Sequence, residues 1–101
     1  MPRRIVQRMQ EKINNSLYTL TTHAEEEMYH DQLVEEDIEH AIQTGVVMRT
    51  ERDRLARRKY TVEGTTRDGR TIRIICRFSD SGNYLIIITV YALDDEDEEV
   101  T

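Results

Sequence analysis

The chain has a single cysteine, Cys76, so it contains no internal disulfide, and one free thiol fits a reducing compartment. Its only proline is Pro2, and no proline-rich linker divides it. No apolar run approaches the ~18 residues that cross a membrane. The opening MPRRIVQRMQEK lacks the apolar stretch of a secretory signal. These absences set the expectation of a cytoplasmic protein with no membrane association. His30, His40 and Cys76 have no metal-ligand spacing, so no metal site is expected. A glycine-rich phosphate loop, a Walker pattern and a serine-centred elbow are all missing, and no cofactor is expected. A chain of 101 residues can bury one modest core.

What the sequence does have is charge, unevenly placed. The formal net charge is −6, but six of the 20 acidic residues form the run Asp94-Asp95-Glu96-Asp97-Glu98-Glu99. Up to Leu93 the chain is neutral, with 14 acids and 14 bases. From Glu25 to Glu39 there are eight acids and no lysine or arginine; from Arg49 to Arg77 there are ten bases and four acids. A basic half on a neutral body suits a polyanion partner, and it equally suits a self-solvating surface.

Hydrophobic period divides the chain. Ile5, Met9 and Ile13 recur every four residues in a helix over Arg4 to Asn15, with Val6 widening the stripe and Arg4, Arg8 and Lys12 opposite. Such a helix packs on its own domain or on a second copy, which makes a homodimer through this helix an expectation. Leu17 to Thr21 reads as a short extended segment. Thr22, with Glu25 three residues on, reads as the N-cap of a helix over His23 to His30. A further helix runs from Val34 or Glu35 to Gln43 and is ended by Gly45 as its C′ residue. Four strands follow: Val46 to Asp53, Arg58 to Thr66, Arg70 to Phe78, and Tyr84 to Tyr91. Asp68-Gly69 and Asp80-Ser81-Gly82-Asn83 mark the last two turns.

Short turns make successive strands antiparallel, and helices gathered ahead of them must cover one face. The expected fold is therefore α+β, with N-terminal helices packed on one face of a four-stranded antiparallel β-meander. The expected divisions are an amphipathic helix over 1–16, the α+β domain over 17–93, and an acidic disordered tail over 94–101. Alternation gives Ile72, Ile74, Cys76 and Phe78 to the covered face, and with them Ile86, Ile88 and Val90. The open face then shows Arg73, Ile75, Arg77, Ile87, Thr89 and Tyr91. Either Lys59 with Thr61 or Arg58 with Tyr60 joins from the next strand. Arginines beside threonine and tyrosine suit an anionic ligand, since guanidinium forks bind phosphate and tyrosine can transfer a proton. The same residues also suit an ordinary solvated face. His23, at a helix start, is either a proton-transfer partner of that face or a solvated histidine.

Thr22-His23-Ala24, then Met28, then the run from Val34 to Gly45, and a terminal Ile-Thr-Val-Tyr91 resemble the domain-of-unknown-function 4258 family. The resemblance spans roughly Tyr18 to Tyr91. That family is grouped with the RelE-like and barnase-like ribonucleases, many of them toxins of toxin–antitoxin pairs. The resemblance implies a RelE-like fold and a metal-independent endoribonuclease, with RNA as substrate and a cognate antitoxin as partner. In such an enzyme the ribose 2′-hydroxyl attacks the adjacent phosphate. His23 matches the family's helix-start histidine, and Thr89 and Tyr91 match its terminal strand, which makes these three the catalytic candidates. Alternation adds Arg73, Arg77, Arg58 and Lys59 as phosphate-binding candidates. One position departs from the family: the common pattern is His-Ala-x-x-Arg-Met, and Glu27 stands where the arginine would be. A carboxylate there repels phosphate. This leaves a catalytically weakened relative, or a non-catalytic module that dimerises and binds a protein partner, as the alternative.

Overall fold

The computed structural model describes residues 2–93, so the acidic tail expected over 94–101 lies outside the described residues. The order is α1 (Pro2–Asn14), β1 (Tyr18–Leu20), α2 (Thr22–His30), α3 (Glu35–Gln43), β2 (Val46–Arg52), β3 (Arg58–Thr65), β4 (Thr71–Phe78) and β5 (Leu85–Ala92). The class is α+β, as the period change indicates. The sheet, however, has five strands in the order β1-β5-β4-β3-β2 and is mixed rather than purely antiparallel. The added strand is β1, which pairs in parallel with β5 through Tyr18↔Leu85, Thr19↔Ile86 and Leu20↔Ile87. It lies within the extended segment expected over Leu17 to Thr21, but three residues are too few to show an alternation and their partner lies far along the chain, so no local signal gives the pairing.

The helices cover one face of the sheet. Met9, Ile13, Ala24, Met28, Ile38, Ala41 and Ile42 from the helices meet Val62, Ile72, Ile74, Cys76, Leu85, Ile87 and Val90 from the strands. The apolar stripe of α1 therefore lies inside this chain's own core: Met9 and Ile13 are buried, and Ile5 packs against them. Gln10 fastens α1 to the end of α3 by donating to the carbonyls of Ile42 (3.3 Å) and Gln43 (3.2 Å). Among the described residues no helix is long and apolar enough to cross a membrane.

Helix α3 lies very close to β3. A Cβ on Gly64 would overlap the carbonyl of Ala41, and one on Gly45 would meet the same oxygen and Cγ1 of Val62, each at 2.6 Å. Gly45 is the C′ residue after the helix, as expected from sequence, and what it supplies there is room. Thr44 is the C-cap, its backbone N–H donating to the His40 carbonyl (3.0 Å), and the Gly45 N–H donates to the Ile42 carbonyl (3.3 Å). The contact is then sewn by side chains. His40 Nδ1 bonds the Thr65 carbonyl (2.7 Å), and Thr44 Oγ1 accepts from Thr65 N (3.1 Å).

Cys76 is fully buried, and burial pushes its thiol up to about 12. It is a packing residue with no thiolate character at neutral pH.

Two outcomes test this packing. Replacing Gly64 by Ala forces α3 off β3 and is expected to cost about 1–3 kcal/mol, read by urea unfolding. A raised folded-state pKa contributes stability below the thiol's unfolded value and loses it as pH rises. The stability gap between the parent and Cys76→Ala should therefore narrow above about pH 9, by about 1.4 kcal/mol per pH unit. A gap independent of pH between 8 and 10.5 would contradict the buried thiol.

Candidate functional site

The site is set by an irregularity in β5. Along the β4–β5 ladder Ile75 faces Thr89 and Cys76 faces Ile87, so Ile88 is an extra residue, a β-bulge. Leu85 and Ile87 are fully buried against the helices, the parity then slips at Ile88, and Val90 is buried. Unbroken alternation assigns Ile86 and Ile88 to the covered face and Ile87 to the open one. The bulge overturns all three assignments while leaving Val90 inward and Thr89 and Tyr91 outward. Thr21 holds the bulge. Its Oγ1 donates to the freed carbonyl of Ile88 (2.9 Å) and accepts from Ala24 N (3.0 Å), and its backbone N–H donates to Ile87 O (3.0 Å). The N-cap of α2 is therefore Thr21, one residue before the threonine expected from sequence.

The ladder then aligns a cluster on the open face. Glu63, Arg73 and Tyr91 sit directly across from one another on β3, β4 and β5. Arg73 Nε donates to Glu63 Oε1 at 3.0 Å. The hydrogen bond to Glu63, and next that to the Tyr91 phenol, hold the guanidinium above its ordinary value. The next row is Thr61, Ile75 and Thr89. A base, a cation and a phenolic donor thus occupy one line across three strands. Strand alternation finds Arg73 and Tyr91. It misses Glu63, because the register of β3 against β4 is set by the Thr66–Arg70 turn and not by β3 itself. The Lys59, Thr61, Glu63, Thr65 alternation is the signal that could have found it.

The other phosphate-binding candidates divide. Lys59 does lie on the open face, opposite Glu51 of β2. Arg77 is turned to the β4–β5 turn, where it donates to Phe78 O (3.1 Å) and meets Asp80 (3.6 Å). It is about four residues, or ~13 Å, along β4 from Arg73, so the two do not form one cradle. Arg58 has the parity of buried Tyr60 and belongs to the helix side, away from the open face.

Comparison with known families places this site on residues already matched: the family described as "Domain of unknown function (DUF4258)" covers residues 20–92. The chain belongs to this family. Neither curated proteins nor solved structures give a match. The DUF4258 segment takes in the Thr21 tie, α2 and all of the open-face cluster, and begins after α1. The DUF4258 segment also carries His23 and Glu27 on α2. His23 is exposed in the first turn and Glu27, one turn on, is half-buried. Spacing of four residues puts them on one side of the helix. The helix is fastened to β5 at both ends, by Thr21 to Ile88 and by Asp31 Oδ2, which accepts from Ala92 N at 2.9 Å. Helix α2 therefore runs along the Ile88–Ala92 edge of β5. Arg70, from the β3–β4 turn, closes the C-terminal end of α2 by donating to the carbonyls of Asp31 (2.7 Å) and Gln32 (3.4 Å).

The acidic half gathers elsewhere. The Tyr18 hydroxyl is shared between Glu39 Oε2 (2.8 Å) and Glu35 Oε1 (3.1 Å), and burial, then the bond to Glu39, raises the phenol above its ordinary value. No group of three metal-ligating side chains occurs among the described residues.

Replacing Thr21 by Val removes the cap and leaves the Ile88 carbonyl without its donor. The expected cost is about 1–3 kcal/mol, with faster amide exchange in α2. Thr21→Ser keeps the hydroxyl and should retain most of the stability. Equal losses for Val and Ser would show that the hydroxyl is not what matters.

Proposed function

We propose that the open face of this DUF4258 domain binds single-stranded RNA and cleaves it, as a RelE-like toxin ribonuclease or a weakened relative of one. The observation that carries the reading is the Glu63–Arg73–Tyr91 line. Cleavage of an RNA phosphodiester needs a base for the 2′-hydroxyl, a cation for the phosphorane charge and a donor for the leaving 5′-oxygen. Glu63 takes the 2′ proton, and the 2′-oxygen attacks the adjacent phosphorus. Arg73 holds the charge that gathers on the phosphoryl oxygens. The bond from phosphorus to the 5′-oxygen breaks as the Tyr91 phenol gives that oxygen its proton. The products are a 2′,3′-cyclic phosphate and a free 5′-hydroxyl. The base and the charge both come from side chains, so the step needs no metal ion. Thr89 and Lys59 border the strand's path, and His23 is the second proton-transfer group that this reading assigns. A cognate antitoxin is the protein partner this reading implies.

The second reading, a non-catalytic interaction module, is favoured by one observation: carboxylates stand where the cations would work. Glu27 replaces the common arginine, and Asp80 meets both Arg77 (3.6 Å) and Arg57 (3.9 Å).

Incubating the purified chain with single-stranded RNA separates them. In the ribonuclease reading, Glu63→Gln and Tyr91→Phe each slow cleavage by about 100-fold or more while the fold, read by circular dichroism, is kept. His23→Ala gives a smaller loss and a changed pH profile. Intact RNA after incubation with the parent, together with normal growth of cells expressing it, would leave the interaction module as the function.

A further inference from the structure

A second basic site lies at the far end of the sheet, on the helix side. Arg52 and Arg58 face each other directly in the β2–β3 ladder, both with the parity of Tyr60. Arg52 turns aside to donate to the Ala56 carbonyl (2.8 Å), which leaves Arg58 to line the cleft. Arg8 reaches the same place from α1, its guanidinium 4.0 Å above the centre of the Phe78 ring. Among the described residues neither Arg8 nor Arg58 has a carboxylate partner. Together they line a cleft of about 350 Å³, whose floor is the edge-on pair Tyr60 and Phe78 and whose rim is the Ser79–Gly82 turn. Two further charged groups face the cleft. Arg57 is neutralised by Asp53 (2.8 Å), and Asp80 is mostly exposed and held by Arg77 and Arg57. The cleft thus has two uncompensated guanidinium groups, an aromatic floor and turn hydroxyls.

We infer that this cleft is a second RNA subsite, taking a backbone phosphate beyond the segment that crosses Arg73. The inference rests on the reading of the open face as an RNA-binding surface. Arg77 links the two places. Its Cα lies on the open side of β4, ~13 Å from Arg73, while its guanidinium meets the Asp80 turn that rims the cleft. A strand laid along β4 from Arg73 therefore runs off the end of the sheet at this rim. There Arg58 and Arg8 offer donor forks for phosphate, Arg8 held in place by the Phe78 ring beneath it. Arg8, Arg57, Arg58 and Arg77 at one sheet end, with Arg57 engaged by Asp53 and Arg77 by Asp80, make a path rather than a single pocket.

The test uses the full chain and RNA that cannot be cut, so cleavage plays no part in it. A 2′-O-methyl dodecamer and the matching trinucleotide are titrated by fluorescence anisotropy at several salt concentrations. The parent should bind the dodecamer much more tightly than the trinucleotide. Arg8→Gln with Arg58→Gln should weaken dodecamer binding by about tenfold and flatten the salt dependence by about 1.4, the value for two single-strand phosphates. Arg58→Gln alone, which leaves the Arg8–Phe78 contact in place, should give about half of that change in slope. Unaltered affinity and slope in a folded double variant would overturn the subsite. So would full displacement of the dodecamer by adenosine monophosphate, since that would make a free nucleotide the occupant. If the parent cuts no RNA yet the double variant loses dodecamer binding, the ribonuclease reading falls and the subsite stands.

Discussion

One hydroxyl does two jobs on which the site depends. Thr21 Oγ1 accepts the Ala24 amide and donates to the Ile88 carbonyl, so helix α2 starts where the β5 bulge lies. Each bond alone is an ordinary one, worth about 1 kcal/mol. Their coincidence matters more than their sum. The bulge shifts the parity of β5 in mid-strand, which lets Leu85 and Ile87 fill the core while Thr89 and Tyr91 turn outward. Without an acceptor-satisfying group at that point, the extra carbonyl would be an unpaired polar atom near the core, and the regular alternation would turn Ile87 outward.

The second constraint is steric. Glycine at 64 and 45 lets the Ala41 turn of α3 approach β3 more closely than any side chain allows. That brings His40 and Thr44 to the Thr65 backbone, where the bonds described above fix the helix against sliding. The covered face is consequently dry and apolar. The open face is left to charged and hydroxyl-bearing residues, and the register of β3 against β4 decides which of them become neighbours. The segregation of charge along the sequence has a spatial counterpart. The carboxylates of α3 gather around the Tyr18 phenol, and the arginines gather on the sheet.

The parts of this fold legible in the sequence are those encoded by neighbours. The stripe Ile5-Met9-Ile13, the inward row Ile72-Ile74-Cys76 and the Asp68-Gly69 turn all depend on residues close in the chain, and all three are found as expected. So are the outward positions of Arg73, Thr89 and Tyr91. What the sequence did not reveal was decided by distant partners. The strand β1 exists only because β5 is there to pair with it. The bulge at Ile88 lies in a run of four apolar β-formers that reads equally well in either parity. Thr21 and Thr22 are indistinguishable as caps until the Ile88 carbonyl selects one of them. Glu63 joins Arg73 only once the hairpin register is known, and Arg58 leaves the open face for the same reason.

Both ends of α2 are fastened to the backbone of β5, at Ile88 by Thr21 and at Ala92 by Asp31, while Arg70 ties the last turn to the β3–β4 hairpin. A helix held at one end could swing as a lid. Held at both, it opens only by breaking the strand's own polar links, so helix, bulge and hairpin form one cooperative unit. The placement of α2 along the Ile88–Ala92 edge of β5 is then a property of the folded state itself, established on folding and not adjusted when a ligand arrives.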